Sequence, residues 1–115
     1  MHRGDVLRVD LGQPAGGSGH EQAGTRPVVV VSLGNDDPGN PLITVVPSTG
    51  RLSKANYPHT LTVDPTTQNG LTTQSVLMAF QVVSIDKRRV LNVIGRLEDA
   101  TLARLSQLLR ELIGL

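Results

Sequence analysis

The segment GSGHEQAGTRPVVVVS, residues 17–32, decides how the chain is read, because a glycine-rich polar stretch gives way there to four consecutive valines. Consecutive β-branched residues bounded by turn formers predict a strand buried on both faces. Pro27 has no N–H to donate, so it belongs at the start of that strand or at an edge. Upstream, residues 12–25 (GQPAGGSGHEQAGT) hold five glycines and one proline with hardly any apolar bulk. A connection of that length is either a functional loop or a solvated one. Arg26 stands where the loop meets the strand.

Working outward, DVLRVDL (5–11) alternates with Leu7, Val9 and Leu11 on one face, the pattern of a half-exposed strand. LGNDDPGNP (33–41) is a dense turn cluster, and LITVVPST (42–49) reads as a strand ending at Pro47. GRLSKANYP (50–58) is a polar connection, after which Leu61 and Val63 share one face of HTLTVDP (59–65). TTQNGL (66–71) carries the turn signal Asn69-Gly70, QSVLMAFQVVSID (74–86) is one strand region, and VLNVIGRL (90–97) adds a short strand. From Asp99 the period changes. Leu102, Leu105, Leu108, Leu109, Leu112 and Ile113 recur at helical spacing, opposite Arg104, Gln107, Arg110 and Glu111. Glu98 or Asp99 is the expected N-cap.

These elements predict a mainly β fold with a C-terminal helix: five to seven short strands in a curled antiparallel sheet or partial barrel, partly covered by the helix. The chain of 115 residues is expected to form a single domain, 1–115. It has no cysteine, which excludes disulfides and thiolate chemistry. The charged, alternating N-terminus does not resemble a signal peptide, and apolar runs such as Val28–Val31 are far too short to span a bilayer. A cytoplasmic protein is expected. A net charge of +1 predicts no strong nonspecific attraction to nucleic acid. With Tyr57 and Phe80 as the only aromatics, a sheet-based stacking platform cannot be assembled from one chain.

Each candidate site has a plain structural alternative. Gly19 and Gly24 are five apart, as in a phosphate-binding P-loop, but Thr25-Arg26 stands in place of Lys-Ser/Thr and a strand follows instead of a helix. His2, His20 and His59 show no ligand spacing, so no metal is expected. His20, Glu21 and Arg26 are either solvating charges on a loop or a site in which the Arg26 guanidinium is held to grip phosphate. PSTGRLSK (47–54) offers the hydroxyls of Ser48 and Thr49 and the charges of Arg51 and Lys54, or is an ordinary basic connection.

Taken together, RGDVLRVDL (3–11), GHEQAGTRPVVVVS (19–32), ITVVPST (43–49) and QSVLMAFQVVSIDKRRV (74–90) resemble the MazF/PemK family of toxin endoribonucleases, in order and with similar spacing over nearly the whole chain. Gly-x-Glu-Gln-x-Gly-x-Arg-Pro is the most specific string. The resemblance implies an SH3-like small β-barrel, a homodimer, and sequence-specific, metal-independent cleavage of single-stranded mRNA without a cofactor. It also implies a cognate antitoxin whose flexible segment occupies the RNA groove, and operator DNA binding only together with that antitoxin. The catalytic pair carries over to Arg26 and Thr49, with Ser48 as a neighbour. Glu21 and Gln22 carry over to the same site; on their own chemistry His20 or Glu21 is read as the base or a loop contributor, and Gln22, Ser48, Arg51, Lys54 and Gln81 as RNA contacts. Three departures stand out: His20 replaces a frequent serine, and Phe80 and Val83 replace the acid and arginine of the family's Glu-Gln-Ile-Arg-Thr-Ile-Asp string. A non-catalytic SH3-like binding module, for nucleic-acid docking or gyrase poisoning, is the alternative.

Overall fold

Water is kept from Val28, Val29 and Val30 on both faces of their strand, and Val31 is half-buried. The computed structural model describes residues 1–12 and 24–115. Its strands are β1 (Asp5–Asp10), β2 (Thr25–Val30), β3 (Leu42–Thr49), β4 (Thr60–Val63), β5 (Ser75–Met78), β6 (Val83–Asp86) and β7 (Val90–Arg96), followed by helix α1 (Asp99–Ile113). Every pairing is antiparallel, in the order β4-β5-β3-β2-β1-β7, with β6 added to β3. The mainly β fold with a C-terminal helix is therefore as expected.

β2 pairs with β1 on one side and β3 on the other. Val28 and Val30 join Leu7, Val9, Ile43, Val45 and Ile85 in one cluster, while Val29 joins Val6, Val46, Leu77, Leu97 and the helix residues Leu102, Leu105 and Leu108 in another. A strand with apolar layers on both faces needs an unbroken valine run, because neither side chain direction meets solvent. The same two layers explain β1. Leu7 and Val9 form the expected face, but Val6 is also fully buried, on the helix side.

Pro47 does not end β3, which continues to Thr49. The strand instead changes partners there: Leu42–Val45 pair with β6, Val45–Pro47 pair with β2, and Ser48 and Thr49 pair with β5. A residue without an N–H is tolerated where a ladder is handed over. For the same reason the apolar stretch 74–86 is two strands, not one. β5 and β6 serve different halves of β3, and the short 3-10 turn Ala79–Gln81 carries the chain between them. The polar connection after β3 contains a 3-10 helix, Leu52–Asn56.

Asn69 does more than form a turn. It is fully buried, and its side-chain oxygen accepts from the N–H groups of Thr66 and Leu71 at 3.0 Å each. Its amide donates to the Asp64 carbonyl (3.0 Å) and to Glu98 Oε1 (3.2 Å). The Arg96 N–H donates to the Gln68 carbonyl at 2.8 Å, so the turn also bridges towards β7, the end of the strand path opposite β4. Glu98 is the helix N-cap by position, and its carbonyl accepts the first helical bond from Leu102, but its carboxylate caps nothing. It is turned towards the Thr66 hydroxyl (2.7 Å) and Asn69. On the expected apolar face of α1, Ile113 is exposed because the last turn overhangs the sheet.

Hydrogen bonds from Thr66, from its own N–H and from Asn69 hold the Glu98 carboxyl below its ordinary value of 4.5. A depressed folded value contributes stability that is complete above the unfolded value and is lost as the pH falls through the folded one. The melting temperature of Glu98→Gln should therefore lie below that of the native chain by a constant gap from pH 7 to about 5 and converge with it in stronger acid. A gap independent of pH down to about 3 would contradict the carboxylate's role.

Candidate active site

Arg26 is the second residue of β2, and its backbone is fixed before its side chain is considered. It pairs with Val9 of β1, and the roots of the preceding loop are stitched by bonds from the Leu11 N–H to the Gly24 carbonyl (2.9 Å) and from the Gly24 N–H to the Gly12 carbonyl (2.7 Å). Across β2 and β3 the register sets Val28 opposite Pro47. That ladder ends at Val28 and Pro47; beyond it Thr49 pairs with β5, and Arg26 and Thr49 meet as lining residues of one cleft. Ser48 holds the two strands together at this point, its hydroxyl donating to the Pro27 carbonyl at 2.7 Å.

Arg26, Ser48 and Thr49 line a cleft of about 290 Å³ together with Gly24, Thr25 and Pro27. Its far wall is Leu71, Thr72, Thr73 and Ser75, the segment leading into β5. The sequence reading passed over this wall; the signal for it was the hydroxyl-rich run after the Asn69-Gly70 turn. Thr49 is buried, and its hydroxyl oxygen accepts from the Arg51 N–H at 3.2 Å. That contact uses an oxygen lone pair and leaves the O–H to donate into the cleft. A half-buried arginine and a threonine hydroxyl lining one cleft, with hydroxyls on the opposite wall, are an arrangement for an oxyanion and most naturally for a phosphate.

The other expected residues are distributed differently. Gln81 lines a second groove of about 360 Å³ with Leu11, Pro47, Val83, Ile85 and Arg89. Pro47 is two residues from Thr49 on the same face of β3, so this groove adjoins the end of the strand that carries the cleft. Arg89, also unanticipated, donates to the Asp10 carbonyl at 3.3 Å. Its neighbour Arg88 is held by Asp86, whose carboxyl is brought down to about 2 by hydrogen bonds from the Arg88 side chain and backbone. Arg51 and Lys54 line neither groove. His20, Glu21 and Gln22 lie outside the described residues. Among the described residues no group of three or more His, Asp or Glu side chains is placed to hold a metal ion, and no helix is long and apolar enough to cross a membrane. A further groove of about 440 Å³, between β4 and the start of α1, contains none of the expected site residues.

Residues 2–113 match the family model described as PemK-like, MazF-like toxin of type II toxin–antitoxin system. The endoribonuclease MazF9 of Mycobacterium tuberculosis is 39% identical over 115 residues, covering 96% of this chain and 93% of that protein. The endoribonuclease MazF of Staphylococcus saprophyticus is 31% identical, covering 100% and 92%. Among solved structures, MazF from Deinococcus radiodurans superimposes with a TM-score of 0.77 at 26% identity, covering 100% of this chain and 97% of that one. A MazE–MazF structure from the same organism gives 0.76 at 26% identity, covering 100% and 96%.

Proposed function

This chain belongs to the PemK-like, MazF-like toxins of type II toxin–antitoxin systems, and from that premise we propose that it is a sequence-specific endoribonuclease whose Arg26–Thr49 cleft cuts single-stranded RNA without a metal. The observation that carries the proposal is the convergence of Arg26 and Thr49, 23 positions apart in sequence, in one cleft.

The reaction follows from what these groups can do. The ribose 2′-hydroxyl loses its proton to a base, its oxygen bonds to the adjacent phosphorus, and the bond from phosphorus to the 5′-oxygen breaks as that oxygen gains a proton. The products are a 2′,3′-cyclic phosphate and a 5′-hydroxyl. Charge accumulates on the non-bridging phosphate oxygens in the transition state, and preorganised donors aimed at that charge are the largest source of acceleration in such reactions. Arg26 supplies two parallel donors and a permanent positive charge, the part a metal ion plays elsewhere. The Thr49 O–H supplies a third donor and orients the phosphate. Ser48 acts as a positioning residue through Pro27. Glu21 or His20 serves as base, with Gln22 beside the phosphate. Arg51, Lys54 and Gln81 contact the strand beyond it.

The chain works as a homodimer in the cytoplasm, and a cognate antitoxin segment laid over the cleft silences it, with operator DNA bound only through that antitoxin. The test is a long single-stranded RNA, beside DNA of the same sequence, incubated with the chain in EDTA. The RNA is cut at discrete positions and the DNA stays intact. Binding without cleavage, or cleavage of both polymers, overturns the proposal.

A further inference from the structure

The chain has one tyrosine, one phenylalanine and no tryptophan. Although Tyr57 and Phe80 are 23 positions apart, the fold brings their rings to 5.4 Å between centroids, tilted by 55°. The Lys54 ammonium lies 5.0 Å from the centre of the Tyr57 ring. Half of Tyr57 remains exposed. A structural reading of this trio, as packing for a surface turn, accounts for the ring pair but leaves an exposed ring face and a cation together at the surface.

Three features hold the trio in place. Tyr57 has extended backbone (φ −75°, ψ 148°), as a residue preceding a proline prefers. The Thr60 hydroxyl lies within hydrogen-bond distance of the Tyr57 carbonyl (3.0 Å) and the Ala55 carbonyl (3.2 Å). The Ala79 N–H donates to the His59 carbonyl at 3.0 Å, joining the Tyr57 turn to the 3-10 turn that presents Phe80. The trio is also tied to the cleft. The 3-10 helix Leu52–Asn56 begins just after Arg51, whose N–H binds the Thr49 hydroxyl, and it spans about 10 Å at roughly 2.0 Å per residue. On the other side, Phe80 is followed directly by Gln81 of the second groove.

We infer that Tyr57, Phe80 and Lys54 form a nucleobase-stacking subsite for the RNA strand leaving the Arg26–Thr49 cleft, one that deepens and rests on the RNA-cleavage reading. Tyr57 offers its half-exposed ring to a base, Phe80 supports that ring through a tilted contact, and Lys54, which lies over the ring, moves to the phosphate attached to that base. Aromatic faces combined with a cation are the usual means of holding single strands without base pairing. Phe80 brings no charge that would repel the strand and supplies the second ring. Composition excludes a broad sheet-based platform, and a single stacked pair at the cleft's exit does not need one.

Tyr57 is the only tyrosine and no tryptophan masks it, so its fluorescence reports the contact directly. The probe is a mixed-sequence 2′-O-methyl RNA about 12 nucleotides long, which cannot undergo 2′-oxygen attack. Titration into the native chain should quench the tyrosine signal. Binding followed by a dye on the probe should weaken about 5- to 100-fold in Tyr57→Ala, the range for losing one base–aromatic stack. Tyr57→Phe, which keeps the ring, should bind as the native chain does, and Lys54→Ala should reduce the salt slope by about one phosphate contact. Weaker binding by Tyr57→Ala that goes with a fall in its melting temperature, while the native tyrosine signal is not quenched by the probe, overturns the inference. Unchanged affinity in Tyr57→Ala, from a native chain that does cut RNA, overturns the subsite alone. Unchanged RNA affinity with weakened antitoxin binding also overturns it, assigning the trio to a protein contact. A native chain that neither binds nor cuts RNA overturns both readings.

Discussion

Replacing Arg26 by alanine is expected to lower the rate of RNA cleavage by about 10³-fold, the upper end of what one preorganised oxyanion donor contributes. Arg26→Lys should recover only part of this, remaining about 10²-fold slow, because an ammonium supplies charge without the planar fork that meets two phosphate oxygens at once. Neither substitution should disturb the fold. The Arg26 backbone pairs with Val9 whatever its side chain, and the Ser48 hydroxyl still ties β3 to β2 through the Pro27 carbonyl. Melting temperatures within about 3 °C of the native chain are the expected control. Single-turnover cleavage measures the effect. An alanine variant within about 10-fold of native would remove Arg26 from the chemistry.

The second large effect concerns stability, at Gly70. Its φ is +71°, and a Cβ built there would sit 2.0 Å from the Ile94 carbonyl oxygen and 2.7 Å from its carbon. Both atoms belong to the backbone of β7, so no side-chain rotation relieves the clash. Gly70→Ala must therefore push the Asn69 turn away from β7. That strains the Arg96 bond to the Gln68 carbonyl and the Asn69 network beneath it. A loss of about 4 kcal/mol or more is expected, seen as a fall of about 15 °C or more in melting temperature. Gly34 provides the comparison: its φ is +69° with nothing within 4 Å of a Cβ, so Gly34→Ala should cost only the about 1–2 kcal/mol of the left-handed conformation. Equal losses at the two positions would show that backbone conformation, and not the crossing with β7, sets the effect.

Much of this architecture can be read in the order of the residues. Four valines in a row require apolar layers on both sides, and a helical leucine repeat after six short β segments supplies one of them. The position of Arg26 at the mouth of a buried strand is legible in the same way, since a loop that ends in Arg-Pro-Val leaves the arginine at the rim. What cannot be read is set by distant partners. Pro47 looks like a terminator because its missing N–H shows in the sequence, whereas the exchange of ladder partners that tolerates it does not. The stretch 74–86 reads as one strand because its apolar character is continuous; only the bend of β3 divides it. Asn69 has the composition of a surface turn, and its burial follows from Glu98 and β7, more than 20 positions away. Tyr57 and Phe80 meet for the same kind of reason, through a backbone bond between His59 and Ala79 that no local pattern encodes. The hydroxyl wall of Leu71–Ser75 reaches the cleft because Val76 pairs with Thr49, again a matter of register.

The central claim is that the Arg26–Thr49 cleft drives attack by a ribose 2′-oxygen without a metal, and the ends of the products test it most directly. Mass spectrometry of the fragments released from single-stranded RNA in EDTA should find a 2′,3′-cyclic phosphate on one side of each cut and a 5′-hydroxyl on the other. Fragments bearing 5′-phosphates and free 3′-hydroxyls, or cleavage that appears only when a divalent cation is restored, would contradict it.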